Sequence, residues 1–207
     1  MTKFIRVLTG CVALSLTAGC LSPAKIERAL SAANRVSDYD ALDSRIDVLP
    51  QTAVADLPTQ GSADFEGMGH LQIRPSNGSS TLQILGDVEM TADFADGTLT
   101  GDMTDMRGAS GTRLTNTKFF DAVGAITFGG RTSSIGDLSG NGAAGFETDF
   151  RGSFDTDVRG EWSVDGMLVG AFVGENGPEG LVGSSRNANA VRNVSDNAMS
   201  LDILAER

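Results

Sequence analysis

From residue 61 to about residue 186, apolar side chains recur at every second position, in runs separated by glycine-rich turns. Val88, Met90, Ala92 and Phe94 alternate with Asp87, Glu89, Thr91 and Asp93. Successive side chains of a strand point to opposite faces, so such a run predicts a sheet with one apolar and one wet face. Ala95-Asp96-Gly97 supplies turn chemistry, and Leu99, Gly101 and Met103 then alternate with Thr98, Thr100 and Asp102. The two runs predict a hairpin. Ile126 and Phe128 begin another apolar face, and Phe146 and Phe150 alternate with Glu147 and Asp149. Phe154, Trp162 and Val164 belong to a further run, and Leu168, Gly170 and Phe172 to the next. Short strands between Gly/Asn/Asp turns predict an all-β fold, a barrel or a sandwich. Glycine inside a strand marks a bend at a barrel corner.

The chain of 207 residues sets a prior of one domain or two small ones. A hydrophobic fraction of 40% is enough to bury a core. A net charge of -11 repels phosphate backbones and argues against a nucleic-acid partner. The one histidine, His70, excludes any mechanism or metal site that needs two.

The first residues read as an address. Lys3 and Arg6 precede an apolar stretch, Val7 to Leu16, which ends in Leu16-Thr17-Ala18-Gly19-Cys20. A basic start, a short apolar core and small residues before a cut site mark a secretory signal. The last five residues resemble the lipobox of bacterial lipoproteins, although Thr17 departs from the Leu commonest three positions before the cysteine. The resemblance implies cleavage between Gly19 and Cys20, and acyl chains such as palmitate on Cys20. Several acyl chains hold a protein to a membrane without a transmembrane helix. Leu21, where Asp would favour inner-membrane retention, implies an outer-membrane location, with the periplasmic or surface face left open. Cys11 is lost with the signal, so the mature chain has no cysteine pair and no disulfide framework. Loss of Lys3 and Arg6 takes the net charge from -11 to -13.

Residues 20–60 read as anchor, helix and linker. Ser22-Pro23 predicts a helix start, with Pro at the first helical position. Ile26, Ala29, Leu30 and Ala33 form an amphipathic stripe that Leu42, Ile46 and Leu49 continue weakly. The segment is either a spacer that lifts the domain off the membrane or a helix packed on the barrel end. Pro50 and Pro58 bound a linker-like stretch. Residues 187–207 read as a polar C-terminal tail, in which Asp196 would cap a short helix using Ala198, Leu201, Leu204 and Ala205.

Thr91-Ala92-Asp93-Phe94-Ala95-Asp96-Gly97-Thr98-Leu99-Thr100-Gly101 resembles the first hairpin of the transferrin-binding protein B barrel domain. Gly166 to Gly174, followed by Pro178-Glu179-Gly180-Leu181-Val182-Gly183, resembles its closing hairpin, with Val173 replacing a Tyr and Glu179 matching a Glu. The resemblance spans about residues 80 to 186. It implies an eight-stranded antiparallel β-barrel, lipocalin-like in size, over residues 61–186 of a surface lipoprotein. It implies no transferrin site, because the handle loops of that family have no identifiable counterpart.

The remaining candidate motifs have bland readings. Gly140-Asn141-Gly142-Ala143-Ala144-Gly145 spells G-x-G-x-x-G but precedes a strand, which makes it a hairpin turn and not a dinucleotide site. Asp155-Thr156-Asp157-Val158-Arg159-Gly160 starts like a calcium loop, yet Arg159 sits where an oxygen ligand belongs. Glu147, Asp149, Asp155 and Asp157 are expected to keep a solvated face polar. Asn77-Gly78 is a turn. His70 alternates with Met68 and Gln72 against Leu71 and Ile73. It is the candidate ligand-binding residue, with Met68, Met90, Met103 or Met106 as a second ligand to haem. The expected function is a lipid-anchored binding module, not an enzyme, with no resident cofactor or metal. Its partners would be the membrane and either a host or secreted protein or a small ligand. The alternative is a carrier holding haem or another small apolar ligand inside the barrel.

Overall fold

The computed structural model describes residues 23–111, 117–192 and 195–207. Helix α1 (Pro23–Ile46) and a single 3-10 turn (Val54–Asp56) precede eight strands. These are β1 (Ser62–Arg74), β2 (Leu82–Asp93), β3 (Thr98–Ser110), β4 (Lys118–Gly136), β5 (Gly145–Thr156), β6 (Gly160–Val173), β7 (Gly180–Arg192) and β8 (Ser195–Glu206). Each strand pairs antiparallel with the next, and β8 returns to β1 with Leu71 opposite Leu201. The expected eight-stranded antiparallel barrel is therefore the observed fold, and closure leaves no unpaired sheet edge.

An eight-stranded barrel leaves an interior just wide enough for side chains. Alternation supplies them: Phe65, Phe120, Phe146, Phe150, Phe154, Trp162 and Phe172 are all buried in one apolar cluster. The ring of Phe172 lies 5.6 Å from Phe146, 5.9 Å from Phe65 and 6.0 Å from Phe94. Close packing also depends on bare backbone. A Cβ on Gly170 would stand 2.1 Å from the Val182 carbonyl oxygen and 2.4 Å from the Phe146 ring. Against β2, β3 carries one extra residue between Thr104 and Arg107, and there Asp105 adopts a φ of 42°, a conformation Asp tolerates better than most residues. The extra residue of this bulge lets both Met103 and Met106 face inward.

Several expectations are corrected. The strands are longer than the short runs: Phe154 continues β5, and Trp162 to Phe172 form one strand, β6. The two hairpins that resemble a first and a closing hairpin are β2–β3 and β6–β7. Residues 187–207 are not a polar tail but the end of β7 and all of β8. Asp196 caps no helix there. Leu201 and Leu204 fit a helical period, yet Asn197, Met199, Leu201, Ile203 and Ala205 fit a period of two. Pairing on both sides, to β7 and β1, satisfies the backbone of β8 and decides the conformation.

Candidate functional site

Helix α1 neither stands free nor sits on a barrel end; it crosses the outer wall. Outward positions of neighbouring strands present Asp121 on β4, Asp105 on β3, Asp87 on β2 and Glu206 on β8, with Asp157 in the β5–β6 turn. Arg28 donates to Asp157 at 2.8 Å and lies 3.6 Å from Asp121. Arg35 donates to Asp87 at 2.8 and 3.1 Å and also to Asp105. Arg45 donates to Glu206 at 2.7 and 3.0 Å. Exposed pairs contribute little, so Arg35, only 12% exposed against 43% and 56% for Arg28 and Arg45, matters most. The fully buried side chains of α1 are confined to its C-terminal half, where Tyr39, Leu42 and Ile46 pack against Met68, Val173 and Leu204. The predicted stripe is corrected accordingly: Ile26 and Leu30 remain 44% and 49% exposed.

His70 lies on the outer face of β1, as alternation predicts, and α1 lies over it. Its ring meets the Tyr39 ring edge-on at 5.9 Å, and its Nε2 lies 2.6 Å from Gln83 Oε1. Asp202 is its cross-strand neighbour on β8. Burial pushes the Asp202 carboxyl up, partly offset by the nearby imidazole. Burial likewise raises the Tyr39 hydroxyl, with help from the carboxylates of Asp202, Asp43 and Asp40. Met90, Met103 and Met106 face the interior, on the opposite side of the sheet from His70. Of the four candidate second ligands, these three therefore stand across the sheet from His70. Met68 is on the same side as His70 but is buried beneath α1.

The other motifs resolve into turns and backbone support. The Asp137 carboxylate accepts from the backbone N–H groups of Asn141 and Gly142 in the G-x-G-x-x-G loop between β4 and β5. Arg159 N–H donates to Thr156 Oγ1 in the β5–β6 turn, where Asp157 is taken by Arg28. Asn77 Oδ1 accepts from Ser79 in the β1–β2 turn. Burial pushes Asp149 up, but the backbone N–H groups of Thr132, Arg131 and Gly130 outweigh it and hold the carboxyl below its usual range. Among the described residues no group of three His, Cys, Asp or Glu side chains could hold a metal. Gly19 and Cys20, the predicted cleavage and lipidation residues, lie outside the described residues.

The two ends of the barrel differ in a way that alternation alone does not reveal. At one end the predicted linker is a strap. Thr52 N–H donates to the Phe172 carbonyl at 2.9 Å, and the Thr52 carbonyl accepts from Ala144 N–H at 2.8 Å. Val54 N–H donates to Gly142 at 2.9 Å, Gly174 N–H to Pro50 at 2.8 Å, and the buried Thr52 hydroxyl to the Gly174 carbonyl at 3.2 Å. The strand connections at this end carry Asp96, Asp137, Glu175 and Glu179 and no Lys or Arg. The opposite end gathers Arg74, Lys118, Arg159 and Arg192 at strand tips and turns, interspersed with Asp155, Asp157, Glu161 and Asp196. Helix α1 starts at that basic end, since Arg28 reaches the β5–β6 turn. The sign of this asymmetry is readable in the sequence only once the strands are assigned to alternating directions.

No family model matches the chain, and no curated protein matches it. Among solved structures the chain is similar to two crystal structures of the vaccine antigen transferrin-binding protein B from Haemophilus parasuis Hp5. One is a Trp-to-Ala mutant, at 16% identity and a TM-score of 0.43, covering 75% of this chain and 28% of that one. The other is a Tyr-to-Ala and Trp-to-Ala double mutant, at 17% identity and a TM-score of 0.44, covering 75% and 27%. The chain thus spans less than a third of the length of these structures.

Proposed function

We propose that the chain is an outer-membrane lipoprotein, anchored through Cys20, whose barrel is a solid scaffold that binds partners at its surfaces. The observation that carries this reading is the filled interior. Phenylalanine and Trp162 side chains occupy the space that a carried ligand would need. His70 faces outward beneath α1, away from the filled interior, which supports the surface-binding reading over the haem carrier. The same cover argues for binding over catalysis, because the Tyr39–His70–Asp202 group meets α1 instead of an open cleft.

The lipobox residues support the anchor. Pro23 follows Cys20 by three residues, a reach of about 10 Å for extended chain. The start of α1 lies at the basic end. Anchoring there would set the basic end toward the negatively charged bilayer surface and turn the acidic, strapped end outward to a host or secreted protein. Labelled palmitate tests the anchor: it should enter the wild type and not Cys20→Ser, and equal labelling of the variant would refute it. Haem titration tests the filled barrel: no stoichiometric absorbance change is expected, and a one-to-one adduct would restore the carrier.

A further inference from the structure

At the basic end a cleft of about 330 Å³ is lined by Ser80, Ser110, Lys118, Val158, Arg159 and Arg192. These residues come from the β1–β2 connection, the end of β3, the start of β4, the β5–β6 turn and the end of β7. Three cations converge on a chain that has 27 acidic and only 16 basic side chains. Arg28, Arg35, Arg45 and Arg107 each face a carboxylate within 4 Å, the first three of them holding α1 to the wall. Among the described residues, none of Lys118, Arg159 and Arg192 has such a partner. The two arginines are held by other means. Arg159 Nη2 lies 3.5 Å from the buried Ser110 hydroxyl. The Arg192 guanidinium stands 5.6 Å from the centroid of the Trp162 ring. Cation–π and hydroxyl contacts hold a guanidinium without neutralising it. Like charges gathered this way repel, and a bound anion removes that cost.

We propose that this cleft is an oxyanion site for the phosphate group of a ligand. Arg159 and Arg192 supply forked donors, Lys118 supplies a point charge, and Ser80 and Ser110 supply hydroxyls. The inference deepens the binding-module reading and rests on it in one respect, that ligands meet the barrel outside its filled interior. Two sources offer the chemistry: the phosphodiester of a lipid headgroup, which the anchor would bring close, or a soluble phosphate ester.

The full-length protein in an uncharged detergent is titrated with inorganic pyrophosphate, with glycerophosphoglycerol (the soluble headgroup of phosphatidylglycerol), and with sodium chloride at matched ionic strength. Heat is recorded together with the emission of Trp162, the only tryptophan. Saturable binding is expected, weakened at least about tenfold in Lys118→Gln/Arg159→Gln/Arg192→Gln. If that variant misfolds, Arg159→Gln alone is expected to weaken binding about threefold. Tighter binding of the diester assigns the site to headgroups, and binding of pyrophosphate alone assigns it to soluble esters; either supports the proposal. No saturation, an equal response to sodium chloride, or wild-type affinity in the folded variants would overturn it. Palmitate labelling reads Cys20 independently, so loss of the anchor and loss of the cleft are separable results.

Discussion

The strapped end and the basic end are built from the same eight strands, yet they use their polar groups in opposite ways. At the strapped end, backbone groups of residues 50–57 are satisfied by the β4–β5 loop and the tip of β6, and an aromatic cluster around Phe172 lies beneath. At the basic end, Lys118, Arg159 and Arg192 gather beside Trp162, and among the described residues none of the three has a carboxylate partner. The strapped end is therefore expected to carry stability, and the basic end to tolerate substitution and carry binding. Buried polar groups that find partners inside the protein add modest net stability, whereas unneutralised charges cost some and are kept where they serve a ligand.

The largest effect should come from Phe172→Ala, which empties the centre of the aromatic cluster and should cost about 3–5 kcal/mol by denaturant unfolding. Arg192→Ala, at the other end, should stay within about 1 kcal/mol of wild type; equal losses would break the contrast. Gly170→Val forces a side chain against the Val182 carbonyl and the Phe146 ring, and should cost about 1–3 kcal/mol. Arg35→Ala removes the best-buried link between α1 and the wall and should cost about 1–2 kcal/mol, with a lower barrier to proteolysis within α1. Thr52→Val deletes one buried hydroxyl-to-carbonyl hydrogen bond in the strap, an effect of about 1 kcal/mol. The smallest effect concerns pH. Asp202 has its carboxyl raised by burial, so its ionisation works against the fold as pH climbs through the raised value. Asp202→Asn should therefore be more stable than wild type at neutral pH. The difference should vanish below the ordinary carboxylate range, and a gap that persists there would show another cause.

Alternation made the barrel legible wherever one face was wet and one dry, as in Val88 to Phe94. It failed at β8, where Leu204 is apolar on the outer face because α1 covers it. A run that is apolar on both sides loses its period, and Leu201 to Ala205 then fit helix and strand alike. The same cover explains α1: Tyr39, Leu42 and Ile46 do the packing, while the more regular stripe of Ile26 and Leu30 stays exposed. The facing of His70 was legible, because its neighbours Leu71 and Ile73 fix the inward side. What covers it was not, since Tyr39 and Asp202 come from distant parts of the chain. The bulge at Asp105 and the convergence of Lys118, Arg159 and Arg192 depend on register, which no local pattern of residues records.

The most direct test of the polarised barrel is a pair of spin labels, one at Asn77→Cys on the basic end and one at Asn176→Cys on the strapped end. The protein is reconstituted in vesicles whose headgroups carry chelated nickel, and relaxation of each label is measured. Strong relaxation at position 77 and little at position 176 is the predicted result. Equal relaxation of the two labels, or the reverse order, would contradict the account.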